Sequence, residues 1–157
     1  MKALILAALI MGIATLPARS ETMPKGAEPI PSSDISSMFG GKTYTFKEKA
    51  KNGKAVSISW FLGSDSKMLG YTGNGPSYAV GTWKASDGKL CVSNRWKGSW
   101  GESASSDCQL WARDKKNPKK LYRAEISKGG DYAAYKPNLN AGDSVSKKID
   151  TLKTKLK

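Results

Sequence analysis

The stretch Lys54-Ala55-Val56-Ser57-Ile58-Ser59-Trp60-Phe61, entered from Ala50-Lys51-Asn52-Gly53, decides the fold class. Val56, Ile58 and Trp60 fall on one face of an extended chain and Ser57 and Ser59 on the other, the period of two that a half-buried strand requires. Asn-Gly before it is a hairpin signal, because a tight two-residue turn needs positive φ at its centre. The same period recurs in short runs bounded by turn residues. Thr43 to Glu48 precedes the stretch, and Lys67 to Thr72 follows it, ending at Gly73-Asn74-Gly75-Pro76. Ser77 to Ala85 runs to Ser86-Asp87-Gly88; then come Lys89 to Asn94, Cys108 to Arg113, Lys120 to Ile126, and Asp131 to Tyr135 after Gly129-Gly130. Eight short strands predict a mainly β fold: a small antiparallel eight-stranded barrel, lipocalin-like, or a sandwich. Closure is the favoured form, because joined edges leave no unpaired backbone. Leu110 and Trp111 are adjacent and both apolar, so the inward face of their strand stays open.

Outside the strands the period changes. Ser32 to Phe39 places Ile35, Met38 and Phe39 at helical spacing behind a capping serine and stops at Gly40-Gly41, which predicts a short N-terminal helix. Ser144 to Lys157 spaces Val145, Ile149, Leu152 and Leu156 at helical steps, with Lys147, Lys148, Lys153, Lys155 and Lys157 on the other faces. This C-terminal amphipathic helix can close a barrel end or lie on an anionic membrane or partner, and end closure is the favoured role. At the other terminus, Lys2, the apolar run Ala3 to Ala14, Pro17 and the small residues Ala18 and Ser20 have the order of a secretory signal peptide cleaved before Glu21. The expected organisation is a signal peptide over 1–20, a proline-rich extended leader over 21–31, a β-barrel domain over 32–138 and a basic helix over 139–157. No transmembrane span follows the signal. The mature chain is expected to be periplasmic or secreted, and monomeric.

Composition narrows the chemistry. Removing Lys2 and Arg19 with the signal leaves 24 of the 26 Lys and Arg against 13 acids, a net +11. A field of that sign attracts anionic glycans, lipid head groups or nucleic acid, and the compartment disfavours the last. Cys91 and Cys108, in an oxidising compartment, predict one disulfide that contributes roughly 3 kcal/mol by loop entropy. The segment between them reads as the longest loop of the domain. With no histidine in the chain, His-based triads, Cys-His pairs and imidazole zinc sites are excluded. No nucleophile elbow or Walker loop is present either. The scattered carboxylates Glu48, Asp65, Asp87, Glu102, Asp107, Asp114, Glu125 and Asp131 show no pairing from spacing alone. The expectation is a non-enzymatic protein with no cofactor and no metal.

Two segments can contact a ligand. In Arg95-Trp96-Lys97-Gly98-Ser99-Trp100-Gly101, aromatics alternate with cations, an arrangement that stacks on a ring while holding an anion; equally, Trp96 and Trp100 can fold back and plug a barrel mouth. In Asp114-Lys115-Lys116-Asn117-Pro118-Lys119-Lys120, four lysines crowd one hairpin loop. The candidate ligand-binding residues are therefore Arg95, Trp96, Lys97, Trp100, Lys115, Lys116, Lys119 and Lys120.

The order Ser33-Asp34-Ile35, Phe39-Gly40-Gly41-Lys42-Thr43-Tyr44, Trp60-Phe61, Gly81-Thr82-Trp83, Lys89-Leu90-Cys91 and Cys108 resembles the bacterial secreted proteins grouped as the domain of unknown function 995 family. The resemblance covers about residues 32 to 135 and implies an exported, disulfide-linked β domain with no established activity. Gly81-Thr82-Trp83 is also similar to the lipocalin Gly-Xaa-Trp signature, whose tryptophan closes a barrel end, and that likeness concerns architecture alone. The leading functional expectation is capture of an anionic envelope glycan or lipid head group. The alternatives are a lipocalin-like carrier of a small apolar molecule lined by Val56, Ile58 and Trp60, and an envelope enzyme working with carboxylates only.

Overall fold

The computed structural model describes residues 22–49, 53–73, 76–126 and 129–156. The signal peptide expected over 1–20, most of the Ala50 to Gly53 turn and Asn74-Gly75 lie outside the described residues. The strands are β1 (Ala27–Pro29), β2 (Lys42–Lys49), β3 (Ala55–Leu62), β4 (Lys67–Thr72), β5 (Ser77–Ser86), β6 (Lys89–Gly98), β7 (Gly101–Asp114), β8 (Leu121–Glu125), β9 (Ala133–Ala134) and β10 (Asn138–Ala141). Helix α1 (Ser32–Phe39) follows β1, and α2 (Ser146–Lys155) follows β10. The sheet is antiparallel, in the order β10-β2-β3-β4-β5-β6-β7-β8-β9, with β1 paired to β7. It curls into a half-barrel, the mainly β, barrel-like class that the two-residue period predicts.

Details depart from the sequence reading for physical reasons. The described residues hold ten strands rather than eight. Part of the leader is β1, which continues along the edge of β7 that β6 leaves: Lys89 faces Leu110, and Pro29 then faces Ala112. A proline fits there because an edge strand can spare a donor. The segment between the cysteines is no loop but the outer half of the β6–β7 hairpin. Gly98 faces Gly101 across a two-residue turn, and Gly101 has φ +110. Residues 101–106 are exposed, so no apolar alternation marked them as strand. Leu139 to Ala141, expected in the terminal helix, instead pair with β2 together with Asn138, and the helix begins at Ser146. The last expected strand shrinks to Ala133–Ala134.

Alternation assigns one face of each strand to the interior. Tyr44, Phe46, Trp60, Leu62, Met68, Trp83, Leu90, Val92 and Trp111 form the core with Ile30, Ile35 and Phe39. Trp111, not Leu110, points inward. Helix α1 plugs the end where the β3–β4 and β5–β6 turns lie: the Phe39 ring meets Trp111 at 5.1 Å and Tyr44 at 5.3 Å, edge to face. Trp83 sits at the same end, its indole N–H donating to the Gly63 carbonyl at 2.8 Å. The cap on α1 is not a serine. Asp87, in the β5–β6 turn, accepts the Ser32 N–H at 3.0 Å. Helix α2 closes no end. It buries Ile149 and Leu152, with Val145 just before it, against the outside of β4 and β5. Lys148 and Lys153 lie over the Tyr71 and Tyr78 rings at 5.5 and 5.6 Å.

Among the described residues, β9 and β10 are joined by Tyr135-Lys136-Pro137 but form no ladder with each other. Side chains cross this seam instead. Arg123 of β8 donates to the Tyr44 hydroxyl of β2 at 2.7 Å and pairs with Glu125 at 2.8 Å. Tyr44 donates onward to the Tyr135 hydroxyl at 3.1 Å, and the Arg123 guanidinium lies 4.0 Å from the Tyr135 ring centroid. Burial first, then the hydrogen bond to Tyr135, push the Tyr44 hydroxyl far above its ordinary pKa, against the opposing charge of Arg123.

A Cβ on Gly81 would meet the Ser93 carbonyl oxygen at 2.1 Å and the Asn94 backbone at 2.6 Å, so Gly81→Ala is expected to cost about 1–3 kcal/mol. Gly73→Ala, with nothing within 4 Å, should leave the denaturant midpoint near wild type. Because the folded Tyr44 holds its proton where the unfolded residue releases it, its stabilising effect is intact below about pH 10 and is lost as pH rises beyond. Tyr44→Phe should therefore flatten the alkaline limb of a stability-against-pH curve by up to about 1.4 kcal/mol per pH unit.

Candidate functional site

The strand period splits the aromatic and cationic run of β6. Arg95 and Lys97 project outward with Lys89, Cys91 and Ser93, whereas Trp96 projects inward and is half-buried. The Trp96 ring lies across the inner wall where Gly70 has no side chain: a Cβ there would stand 3.1 Å from it. Trp100 forms the hairpin turn and is 57% exposed. Its indole lies over Gly98, where a Cβ would come within 2.5 Å of the indole nitrogen. Gly98 shares the inward face with Trp96 and Asn94, so both rings lean to the concave side, Trp96 half-buried and Trp100 largely exposed at the rim. Arg95 and Lys97 share Glu102 of β7, at 3.8 and 3.1 Å. The Glu102 hydrogen bond and then its charge hold Lys97 above its ordinary pKa.

Lys115, Lys116, Lys119 and Lys120 occupy the β7–β8 loop. That loop is at the other end of β7, whose 14 residues span roughly 43 Å at about 3.3 Å each. One small ligand cannot touch both groups. Asp114 shapes this loop by accepting the Lys116 and Asn117 N–H groups at 2.8 and 3.0 Å, which holds its carboxyl below its ordinary pKa. Lys119, Lys120 and Lys136 border a shallow hollow of about 400 Å³ against Tyr135 and Pro137.

A larger hollow, about 600 Å³, lies on the convex face of β5, β6 and β7. Its floor is the Cys91–Cys108 disulfide, formed between residues directly opposite in register with Cα atoms 4.1 Å apart. Thr82, Ser93 and Ser106 supply hydroxyls, Lys84 and Lys89 supply charge, and Ile126 forms an exposed apolar rim. Among the described residues no carboxylate lines it. Outward alternation sets Lys89, Arg95 and Lys97 in one row along β6, with Lys84 beside Cys91 on β5. Lys84 and Lys89 were not singled out by sequence, although the odd-numbered period from Lys89 to Lys97 carries the signal once β6 is known to reach Gly98.

Among the described residues no group of three His, Cys, Asp or Glu side chains could hold a metal ion. No helix among them is long and apolar enough to cross a membrane. The disulfide fits a protein that works outside the cytoplasm. No curated protein and no solved structure matches the chain. The family model described as "Protein of unknown function (DUF995)" matches residues 7–152, nearly the whole chain, and the protein belongs to that family.

Proposed function

We propose that the protein is an exported, non-enzymatic binding domain that holds an extended anionic glycan of the cell envelope along the convex face of β5, β6 and β7. One observation carries the reading: Lys84, Lys89, Arg95 and Lys97 share one face beside the 600 Å³ groove. From Lys89 to Lys97 the row spans about 27 Å at about 3.4 Å per residue, which suits a polymer better than a single head group. Hydroxyls of Thr82, Ser93 and Ser106 beside the cations offer neutral hydrogen bonds to sugar hydroxyls. Glu102 tempers Arg95 and Lys97, so Lys84 and Lys89 contribute the stronger local field. A second reading rests on the Lys119, Lys120 and Lys136 hollow, which suits a compact phosphate such as a lipid head group.

Binding to a carboxylated polysaccharide such as polygalacturonate, followed by calorimetry, tests the first reading. Affinity should fall steeply with salt, and the double variant Lys84→Glu, Lys89→Glu should lose about tenfold or more with an unchanged melting temperature. Binding undiminished in molar salt overturns the proposal. A loss confined to charge reversals at Lys119 and Lys120 moves the site to the other end of β7.

A further inference from the structure

The outer half of β7 has an open edge. Pairing with β8 ends at Gln109 opposite Glu125, and the chain then turns, the Ile126 carbonyl accepting the Gly129 N–H at 3.1 Å. Pairing with β6 runs on without a break to Gly101 opposite Gly98. From that closing pair of a two-residue turn, hydrogen-bonded positions alternate, so Gly101, Ser103, Ser105 and Asp107 direct their backbone groups at β6. Trp111 keeps the same parity, its N–H donating to the Gly88 carbonyl at 2.7 Å. Glu102, Ala104 and Ser106 therefore aim theirs at the open edge. Among the described residues the one group that answers them is the Ser103 hydroxyl, 3.4 Å from the Ala104 carbonyl, which keeps a second lone pair. Beyond them the Cys108 N–H is taken by the Asp107 carboxylate at 2.9 Å, which ends the edge.

We infer that two copies of the chain join at this edge, β7 against β7 antiparallel about a two-fold axis, in place of the monomer that the sequence reading expects. With Ala104 opposite its own copy, Glu102 faces Ser106 and Ser103 faces Ser105. All three edge-turned residues are then used, and they exchange about six backbone hydrogen bonds. No like charges stand opposite each other, and most of the facing side chains are small. The usual guards of a sheet edge are missing, since Glu102 to Ser106 hold no lysine, no proline and no bulge. Charge selects a second copy as the occupant. The whole chain carries +13, so two copies repel. From Arg95 to Asp107, however, two cations meet two acids, and Glu102 lies 3.1 Å from Lys97 and 3.8 Å from Arg95. This neutral hairpin is where like-charged molecules approach most easily. A two-fold axis perpendicular to the sheet continues one copy into the other, so both convex faces point the same way. The two β6 strands then run about 14 Å apart, at about 4.8 Å per strand step. A glycan shared by both faces rests on the proposed function; the pairing does not.

The test is sedimentation equilibrium of the disulfide-bonded mature protein, with no glycan present. A contact this small predicts a weak dimer, half-formed at about 0.1 mM. Molar salt should strengthen it by screening the repulsion between copies, the opposite of its effect on glycan binding. Amide exchange at Glu102, Ala104 and Ser106 should slow as concentration rises, while Ser103 and Ser105, already bonded to β6, keep their rates. Ala104→Pro should abolish the dimer at an unchanged melting temperature, because the N–H it removes faces away from β6. Ala104→Lys, which sets two ammonium groups opposite each other, should weaken the dimer about threefold or more at low salt. The Lys84→Glu, Lys89→Glu variant should dimerise at least as well as wild type, so the two readings fail separately. A monomer at about ten times the expected midpoint in both low and molar salt overturns the inference and leaves the edge to water or to a strand of another protein. A dimer that Ala104→Pro leaves intact overturns it as well.

Discussion

The half-barrel depends on one buried contact, the guanidinium of Arg123 held among Glu125, Tyr44 and Tyr135. A curled sheet whose edge strands do not pair must be held at its seam by something other than backbone hydrogen bonds. Here a β8 side chain reaches across to β2 while the residue that links β9 to β10 stacks on it. A charge in such a place is tolerated only because a carboxylate at 2.8 Å and a phenol at 2.7 Å answer it. Removing one partner of a pair like this commonly costs about 3–5 kcal/mol, since the other charge stays buried. Tyr44 is also the ring on which Phe39, Phe46, Trp60 and Trp111 pack. Seam and core are therefore one cooperative unit, and α1 joins it through Phe39.

That arrangement divides the interior into two regions. At the α1 end large rings fill the space. Away from that end the inward positions turn polar, with Asn94, Thr72 and Ser77 among the buried residues. A buried polar group without a partner costs about 1–3 kcal/mol, and a core built for stability alone would place leucine or methionine at Asn94, whose amide has no hydrogen-bond partner among the described residues. The glycines reinforce the point. Gly70 and Gly81 face inward beneath Trp96 and Asn94, so the wall is kept thin where the larger side chains lie across it. Gly81 thus gives its motif a local meaning: a β-carbon there would strike the backbone of the neighbouring strand.

Where alternation was strong, the fold was legible from residues alone. Val56, Ile58 and Trp60 face inward, the disulfide joins paired strands, and Trp83 lies at the end that α1 covers. Legibility failed where both faces of a strand meet water. Ser103 to Ser106 carry no apolar period, yet they pair with β6 through backbone bonds that are indifferent to side chain. Ala27 to Pro29 and Asn138 to Ala141 are short edge strands, and their pairing is decided by distant partners. The candidate site was only partly readable for the same reason. Arg95, Trp96 and Lys97 look like one constellation in sequence, but a strand sends neighbours to opposite faces, so the structure breaks the trio and joins two of its members to Lys84 and Lys89 instead. Burial of Asn94 and Gln109 left no signal either, because burial of a lone Asn or Gln cannot be inferred from its neighbours in sequence.

The distribution of charge completes the argument for a basic working surface. The three arginines among the described residues are all paired: Arg113 with Glu28 and Asp34 at 3.1 and 2.7 Å, Arg123 with Glu125 at 2.8 Å, Arg95 with Glu102 at 3.8 Å. Other acids serve the backbone, Asp87 at the start of α1, Asp114 in its loop and Asp143 at the start of α2. A planar guanidinium suits a fixed partner, whereas a lysine ammonium is strongly hydrated and stands at the surface on a flexible stem. Carboxylates are thus largely consumed in positioning arginines and turns, and the lysine excess remains as an outward field. Solubility alone would be served by a net charge of either sign. A field carried by surface lysines, with Lys84 and Lys89 beside a groove that no carboxylate among the described residues lines, is the form that attracts a flexible polyanion.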